Sequence, residues 1–227
     1  MNFKKRKGAR IMKAFVIAMP NEAKCLEDNL SEKKEEFLFG RRVVRGKLND
    51  EEVLLVLSGV GKVNAAAATQ FAIQAGADTI YNIGVAGGLE DTMKIGDIFS
   101  IDRAVEYDFD LSQLNGTQKG TLNEYSSPYI ELEEIPSVEP KTLGTGDRFN
   151  DDDDDNDLLT KELACSLRDM EGAAVAHVCK TAGVKCILFK CVSDVRGMGS
   201  APGQYVTNLV KCLKKLTQEI PALVKAT

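Results

Sequence analysis

Apolar residues in this chain gather into short compact runs, separated by stretches of helical periodicity. Residues 13–19 (KAFVIAM) form the first run and read as a buried strand. Pro20 stops it, and Asn21, Glu22 and Ala23 open a helix that continues through Cys25 and Leu26 towards Leu30. Proline suits that first helical turn, where its missing N–H is not needed. Residues 37–48 and 53–58 predict paired strands joined by a turn at Asn49-Asp50. An alanine-rich helix then runs to Ala75, with Gly76 as its stop. Residues 79–83 predict a strand that ends in a glycine loop over residues 84–89, residues 94–105 a turn plus strand, and residues 141–145 another short strand. Between them, up to Pro140, Gly, Ser, Thr, Asn and Pro dominate and the chain reads mostly as loop.

The densest stretch is residues 167–197. A helix is expected from Met170 to Ala182, with Glu171 in its first turn and Gly183 as its stop. The apolar run 186–192 follows, interrupted only by Lys190, and ends in Ser193-Asp194. A helix feeding a buried strand is half of a right-handed α/β unit. A closing amphipathic helix is expected over residues 205–224, with Val206, Leu209, Val210, Leu213 and Leu216 on one face. This alternation predicts an α/β fold, in which ligands bind beyond the carboxyl ends of the strands. Glu22, residues 84–89, Phe149 and Asp194 all fall at such ends, and Glu171 joins them from a helix start. Singly, each has a plainer reading: a helix-dipole acid for Glu22 or Glu171, a cap for Asp194, a core ring for Phe149. Their convergence on one rim is what points to a site.

Composition narrows the classes. A length of 227 residues suits one large α/β domain. The 29 basic and 34 acidic residues leave a net charge of −5, so no global field favours nucleic acid or an anionic membrane. Tryptophan is absent, which argues against a stacking platform for single strands. No charge-free run approaches the roughly 18 residues needed to span a bilayer. Residues 1–11 carry five positive charges and read as a basic extension to a domain of residues 12–227. They do not read as a signal peptide, because Lys13 interrupts the junction and no small-residue cleavage site follows. Six cysteines without a CxxC pair, and a single histidine, offer no zinc site; reduced thiols in a cytoplasmic protein are expected. His177 reads as a packed or half-exposed helix residue. The acidic run at 151–155 and 157 reads as solvated, without the ligand spacing of a calcium loop.

Several segments resemble a known family. Asp169-Met170-Glu171-Gly172-Ala173-Ala174, followed by Val192-Ser193-Asp194, is similar to the M-E-x-x-A…S-D signature of the nucleoside phosphorylase/nucleosidase superfamily. Residues 58–66 (SGVGKVNAA) resemble its S-G-x-G-K-x-x-A-A segment, and residues 82–89 its N-x-G-x-A-G-G-L nucleoside loop. Ile95-Gly96-Asp97-Ile98, Tyr107-Asp108-Phe109-Asp110 and Gly146-Asp147-Arg148-Phe149 match further family segments. Together they resemble the 5'-methylthioadenosine/S-adenosylhomocysteine nucleosidases over nearly the whole chain from Met12.

The resemblance implies a three-layer α/β/α sandwich with a central mixed sheet, a homodimer with residues 107–111 against the partner, and neither metal nor organic cofactor. It implies hydrolysis of the N-glycosidic bond of 5'-methylthioadenosine or S-adenosylhomocysteine, a purine nucleoside being the small-molecule partner. Glu22 would be the water-activating base, although Pro20-Asn21 replaces the usual acidic run before it. Asp194 would protonate N7, oriented by Ser193, while Glu171, with Met170, holds the sugar hydroxyls. Val85, Ala86, Gly87, Phe149 and Asn150 would contact the nucleoside, with the Phe149 ring on the base. Val85 stands where many relatives have Ser, and Leu114 and Asn115 replace expected aromatics, so the pocket for the 5' substituent departs from the pattern. Two other classes share the fold. A purine nucleoside phosphorylase would need fixed cations where this chain has Glu22 and Asn82. A catalytically silent nucleoside-binding protein would not need Glu22, Glu171 and Asp194 together.

Overall fold

Alternation along the strands divides the interior into two cores. The computed structural model describes residues 12–227; the basic extension of residues 1–11 lies outside the described residues. In β1 (Lys13–Ile17) Ala14 and Val16 enter one core while Phe15 and Ile17 enter the other. Helix α1 (Pro20–Glu27) follows, starting on its proline and ending sooner than the pattern predicts. The expected strand over 37–48 is two strands, β2 (Ser31–Leu38) and β3 (Arg41–Leu48). Phe39 and Gly40, both at positive φ, make the turn between them. Two such residues form the tight turn that matches strand twist. β2 is almost wholly exposed and polar, so hydrophobic periodicity carried no sign of it. Asn49-Asp50 makes the second tight turn, as expected, and leads into β4 (Glu51–Leu57).

Helix α2 (Lys62–Gln74) lays Ala65, Ala68 and Ala72 on the sheet. β5 (Thr79–Gly88) corrects an expectation: the glycine stretch is not a loop but the second half of a ten-residue strand. It stays extended because it is paired on both sides, with β9 (Leu167–Asp169) and with β10 (Lys185–Val195). β6 (Ile98–Glu106) leads into the region expected to be loop, which holds only the one-turn helix α3 (Ser112–Asn115) and the two-residue β7 (Ile130–Glu131). β8 (Pro140–Thr145) precedes α4 (Asp153–Asp157) and a single π-helical turn, Leu158–Glu162. The acidic run is solvated over residues 151–154, as expected, but its second half is helical and Asp155 is buried. Asp152 caps α4 by accepting from Asp154 N, and Asp155 is buried against Arg148 Nη1 at 2.6 Å.

Helix α5 (Gly172–Ala182) starts two residues later than predicted and ends on Gly183 in the left-handed conformation. Helix α6 (Ala201–Lys225) starts four residues earlier, and its buried stripe is Cys212, Leu216, Ile220 and Val224. Val206 and Val210 are exposed, against expectation, because the helix turns that side to solvent. The sheet is mixed, with the order β10-β6-β8-β9-β5-β1-β4-β3-β2 and an added β10–β5 pairing that closes one end upon itself. Helices α2 and α5 cover the core holding Ala14 and Val16; α1 and α6 cover the other. This is the expected three-layer arrangement. All six cysteines are buried free thiols, and among the described residues no helix is long and apolar enough to cross a membrane.

Candidate active site

Parallel pairing of β1, β5 and β10 brings their carboxyl ends to one edge. A cavity of about 260 Å³ opens there, lined by Glu22, residues 85–87, Phe149, residues 168–171, Ser193 and Asp194 among others. Glu22 reaches it from the first turn of α1, where it is 5 % exposed. Its Oε1 accepts from Val85 N at 2.9 Å. The contact depends on Gly84, since a Cβ there would lie 2.7 Å from that oxygen. Burial pushes the Glu22 carboxyl up, while the backbone of Val85 and the ammonium of Lys190 pull it back towards the ionised form.

Asp194 does not lie past the end of β10, as expected, but inside it, at a register shift between Val192 and Asp194. A bulge of this kind re-aims a side chain without ending the strand. Ser193, the extra residue, donates its hydroxyl to Asp194 Oδ1 at 2.7 Å. A Cβ on Gly87 would come within 2.8 Å of Asp194 Oδ2, so glycine is needed at this end also. Burial raises the Asp194 carboxyl, opposed by the Ser193 hydrogen bond and the Arg168 charge.

Glu171 is the residue before α5 rather than part of its first turn, and its carboxylate does not cap that helix. Its Oε1 instead accepts from Gly61 N at 2.8 Å, across the cavity mouth. Burial first, then the neighbouring Asp169 charge, push it up to about 7. Met170 lines the cavity beside it. Phe149 is half exposed and meets Tyr205 edge-on, with ring centroids 5.5 Å apart. The Asn150 side chain is held beside the cavity: its Nδ2 donates to Asp155 Oδ2 at 2.8 Å and its Oδ1 accepts from Arg168. In the segment 107–111, Tyr107 is buried within the chain, where a side chain on Gly146 would collide with its ring, while Asp108 and Asp110 are exposed.

A polar network beneath the pocket went unpredicted. Lys190 Nζ contacts Asp169 Oδ2 at 2.8 Å and Asn82 Oδ1 at 2.7 Å, with both charged side chains 2 % exposed. Asp169 also accepts from Thr145 Oγ1 at 2.6 Å and from Gly172 N at 2.9 Å. Both carboxylate oxygens are thus hydrogen-bonded, as a buried ion pair requires. The charges of Asp169, Glu171 and Glu22 raise the Lys190 ammonium against its own burial. One charge in an otherwise apolar, doubly covered strand had to be paired; that was the available signal. Val60, from the segment 58–66, also lines the cavity, as do Arg168, Met19 and Tyr205, which nothing in the sequence pattern set apart. His177 is half exposed on α5, within 3.2 Å of both Glu106 and Glu124, away from the cavity.

Comparison with known proteins gives the family of this fold. Residues 13–227 match the profile of the Phosphorylase superfamily. A 5'-methylthioadenosine/S-adenosylhomocysteine nucleosidase of Bacillus pumilus (strain SAFR-032) is 32 % identical over 207 residues, covering 83 % of this chain and 88 % of the relative. The Helicobacter pylori 5'-methylthioadenosine/S-adenosylhomocysteine nucleosidase, solved with butyl-thio-DADMe-Immucillin-A, superposes with a TM-score of 0.87 at 25 % identity, covering 96 % of this chain and 99 % of that one. The futalosine hydrolase of Helicobacter pylori strain 26695 superposes with a TM-score of 0.86 at 25 % identity, covering 96 % and 98 %. With profile, relatives and architecture in agreement from β1 to α6, the chain belongs to the phosphorylase superfamily, among its 5'-methylthioadenosine/S-adenosylhomocysteine nucleosidases.

Proposed function

We propose that the protein hydrolyses the N-glycosidic bond of 5'-methylthioadenosine and S-adenosylhomocysteine, releasing adenine and the 5'-thio-substituted ribose. The observation that carries this reading is the placement of two buried carboxylates, Glu22 and Asp194, in the walls of one cavity, each seated against a glycine that leaves it room. Cleavage asks three things of the site. The departing base must be protonated at N7; Asp194, whose carboxyl is raised by burial, is the acid, and Ser193 fixes its orientation. The sugar gains positive charge, and Glu171 supplies an acceptor for its hydroxyls once the Gly61 N–H is shared. A water must lose a proton, and Glu22, held by Val85 N–H, is the base.

Water, rather than phosphate, suits this wall. A phosphate nucleophile calls for fixed cations, whereas Glu22 presents a carboxylate and Lys190 beneath it is committed to Asp169 and Asn82. Among the described residues lining the cavity the one arginine, Arg168, lies beside Asp194 at the other end. The test is chromatography of reactions with each nucleoside, in which adenine and free thioribose should accumulate; no release from either nucleoside would contradict the reading.

The protein is further proposed to be a cytoplasmic homodimer. The supporting feature is apolar surface: Val63, beside the Lys62–Asp108 ion pair, and Leu114 are 79 % and 81 % exposed. Light scattering at micromolar concentration should give twice the chain mass, and a stable monomer would count against it.

A further inference from the structure

Asp194 sits on a strand that loses one neighbour just before the acid is reached. β10 pairs with β5 from Lys185 to Val195, but its pairing with β6 on the other edge ends at Cys191. Beyond that point Ser193 and Val195 are each 1 % exposed, so their backbone groups on that edge need partners. Helix α6 supplies them from its side chains. Gln204 Oε1 accepts from Val195 N at 3.0 Å, and Gln204 Nε2 donates to Val195 O at 3.0 Å. Asn208 Nδ2 donates to Ser193 O at 3.1 Å, and Cys212 Sγ donates to Val192 O at 3.1 Å. Residues spaced by four share one face of a helix. The three side chains therefore form a ladder that takes the place of a strand on that edge.

The ladder brackets the acid. Asn208 holds the residue before Asp194 and Gln204 the residue after it, across the register shift between Val192 and Asp194. The extra residue of a bulge has no partner in the ladder of the sheet, so the direction of the next side chain is set by whatever fixes the flanking peptides. The two-point contact of Gln204 with Val195 reproduces the donor and acceptor of a paired strand and fixes that peptide plane. Gln204 Nε2 also donates to Gly199 O at 3.1 Å, which ties the loop leading into α6 to the same clamp. We propose that Gln204 and Asn208 are positioning residues for Asp194. They hold the bulge so that the carboxyl keeps its place beside Gly87 in the cavity wall.

This inference rests on Asp194 being the acid of the proposed hydrolysis, and its test keeps the two apart. Gln204→Met preserves the length of the side chain and removes its hydrogen bonds. The kcat values for 5'-methylthioadenosine and for the 4-nitrophenyl glycoside of 5-methylthioribose are compared in the wild type and the variant. Nitrophenolate departs without a proton and makes no call on the acid, whereas adenine does. Displacing a reacting group by about 1 Å can cost around 10²-fold. The ratio of adenine release to nitrophenolate release should therefore fall by about tenfold or more in Gln204→Met. A smaller fall, including an equal loss on both substrates, overturns the assignment and leaves the ladder a support of the fold. If Gln204→Met does not fold, Asn208→Leu decides by the same ratio. Where the wild type does not turn over both substrates, the crystal structure of the variant decides. The Asp194 carboxyl should then be displaced by about 1 Å, and a carboxyl that superposes on that of the wild type overturns the assignment. Turnover of neither substrate contradicts the hydrolysis and leaves that structural criterion in force.

Discussion

Glu22 and Asp194 stand in the walls of the same cavity, one carried by the first turn of a helix and the other by a bulge inside a strand. The Glu22 end is backed by the sheet: a backbone N–H holds the carboxylate, and a fully buried ammonium lies beneath it. The Asp194 end is bordered by a neutral hydroxyl, a guanidinium and the short acidic helix α4. Burial raises both acids, yet what surrounds each differs. Around Glu22, backbone and buried cation favour the anion, which suits a base. At Asp194 the Ser193 hydroxyl and the Arg168 charge also favour the anion; what suits it to the acid role is its place, with Oδ2 beside Gly87 at the cavity wall. The same residue chemistry is divided into two roles by the position of each carboxyl in the cavity.

The sharpest way to break this comparison is to neutralise each end. Glu22→Gln and Asp194→Asn keep shape but remove proton transfer, and each should lower kcat by about 10²–10⁴. Glu22→Gln should leave substrate affinity largely intact, and steady-state kinetics beside direct binding measurements would separate the two effects. Wild-type-like turnover by either folded variant would remove that residue from its role. Next in size is the cation beneath the Glu22 end. Lys190→Met leaves Asp169 buried without its partner, and urea unfolding should show a loss of about 3–5 kcal/mol. Adding Asp169→Asn should return part of it; no recovery in the double variant would mean that the pair is not the source.

The glycines sharpen the comparison at a finer scale. A methyl at Gly84 meets Glu22 Oε1 and one at Gly87 meets Asp194 Oδ2. Displacing a reacting group by about 1 Å can cost around 10²-fold, so Gly84→Ala and Gly87→Ala should each lower kcat by about that factor. Gly84→Ala should act on the water-activating limb of the pH–rate profile and Gly87→Ala on the acid limb. Identical changes in the two profiles would contradict the division of roles.

The smallest effect concerns stability. Glu171 is raised to about 7 by burial and by Asp169. A carboxyl raised on folding contributes stability that is full below its ordinary value and lost as pH rises through about 7, because the unfolded chain ionises more readily. Glu171→Gln cannot ionise, so it should raise Tm by about 2–5 °C at about pH 8 and by less at about pH 5. A larger gain at the acidic pH would reverse the sign and refute the assignment.

These two ends also differ in how far the sequence revealed them. Glu22, Glu171, Ser193 and Asp194 lie next to a strand end or a helix start, and local pattern places such residues well. The three-layer fold was legible for the same reason, through the alternation of apolar runs and helical stretches. β2 was not, because its residues are exposed and polar and pairing alone makes them a strand. The glycine stretch in β5 was read as a loop because glycine is permissive; partners on both sides, β9 and β10, decide that it is extended. Arg168 was invisible, since a three-residue strand has no periodicity and its neighbour Gly87 is 81 positions away. The side-chain partners of Asn150, Asp155 and Arg168, were not legible because they are chosen by tertiary contact. Lys190 alone left a trace, as a charge inside a run that buries both faces.

The central claim is that Glu22 turns water, not phosphate, on the sugar. Its most direct test is to follow adenine release and sugar product from 5'-methylthioadenosine in parallel, in phosphate-free and in phosphate-rich buffer. The account predicts equal adenine release in both buffers, with only free thioribose formed, and loss of both signals in Glu22→Gln. Turnover that requires phosphate and yields a sugar 1-phosphate would contradict it.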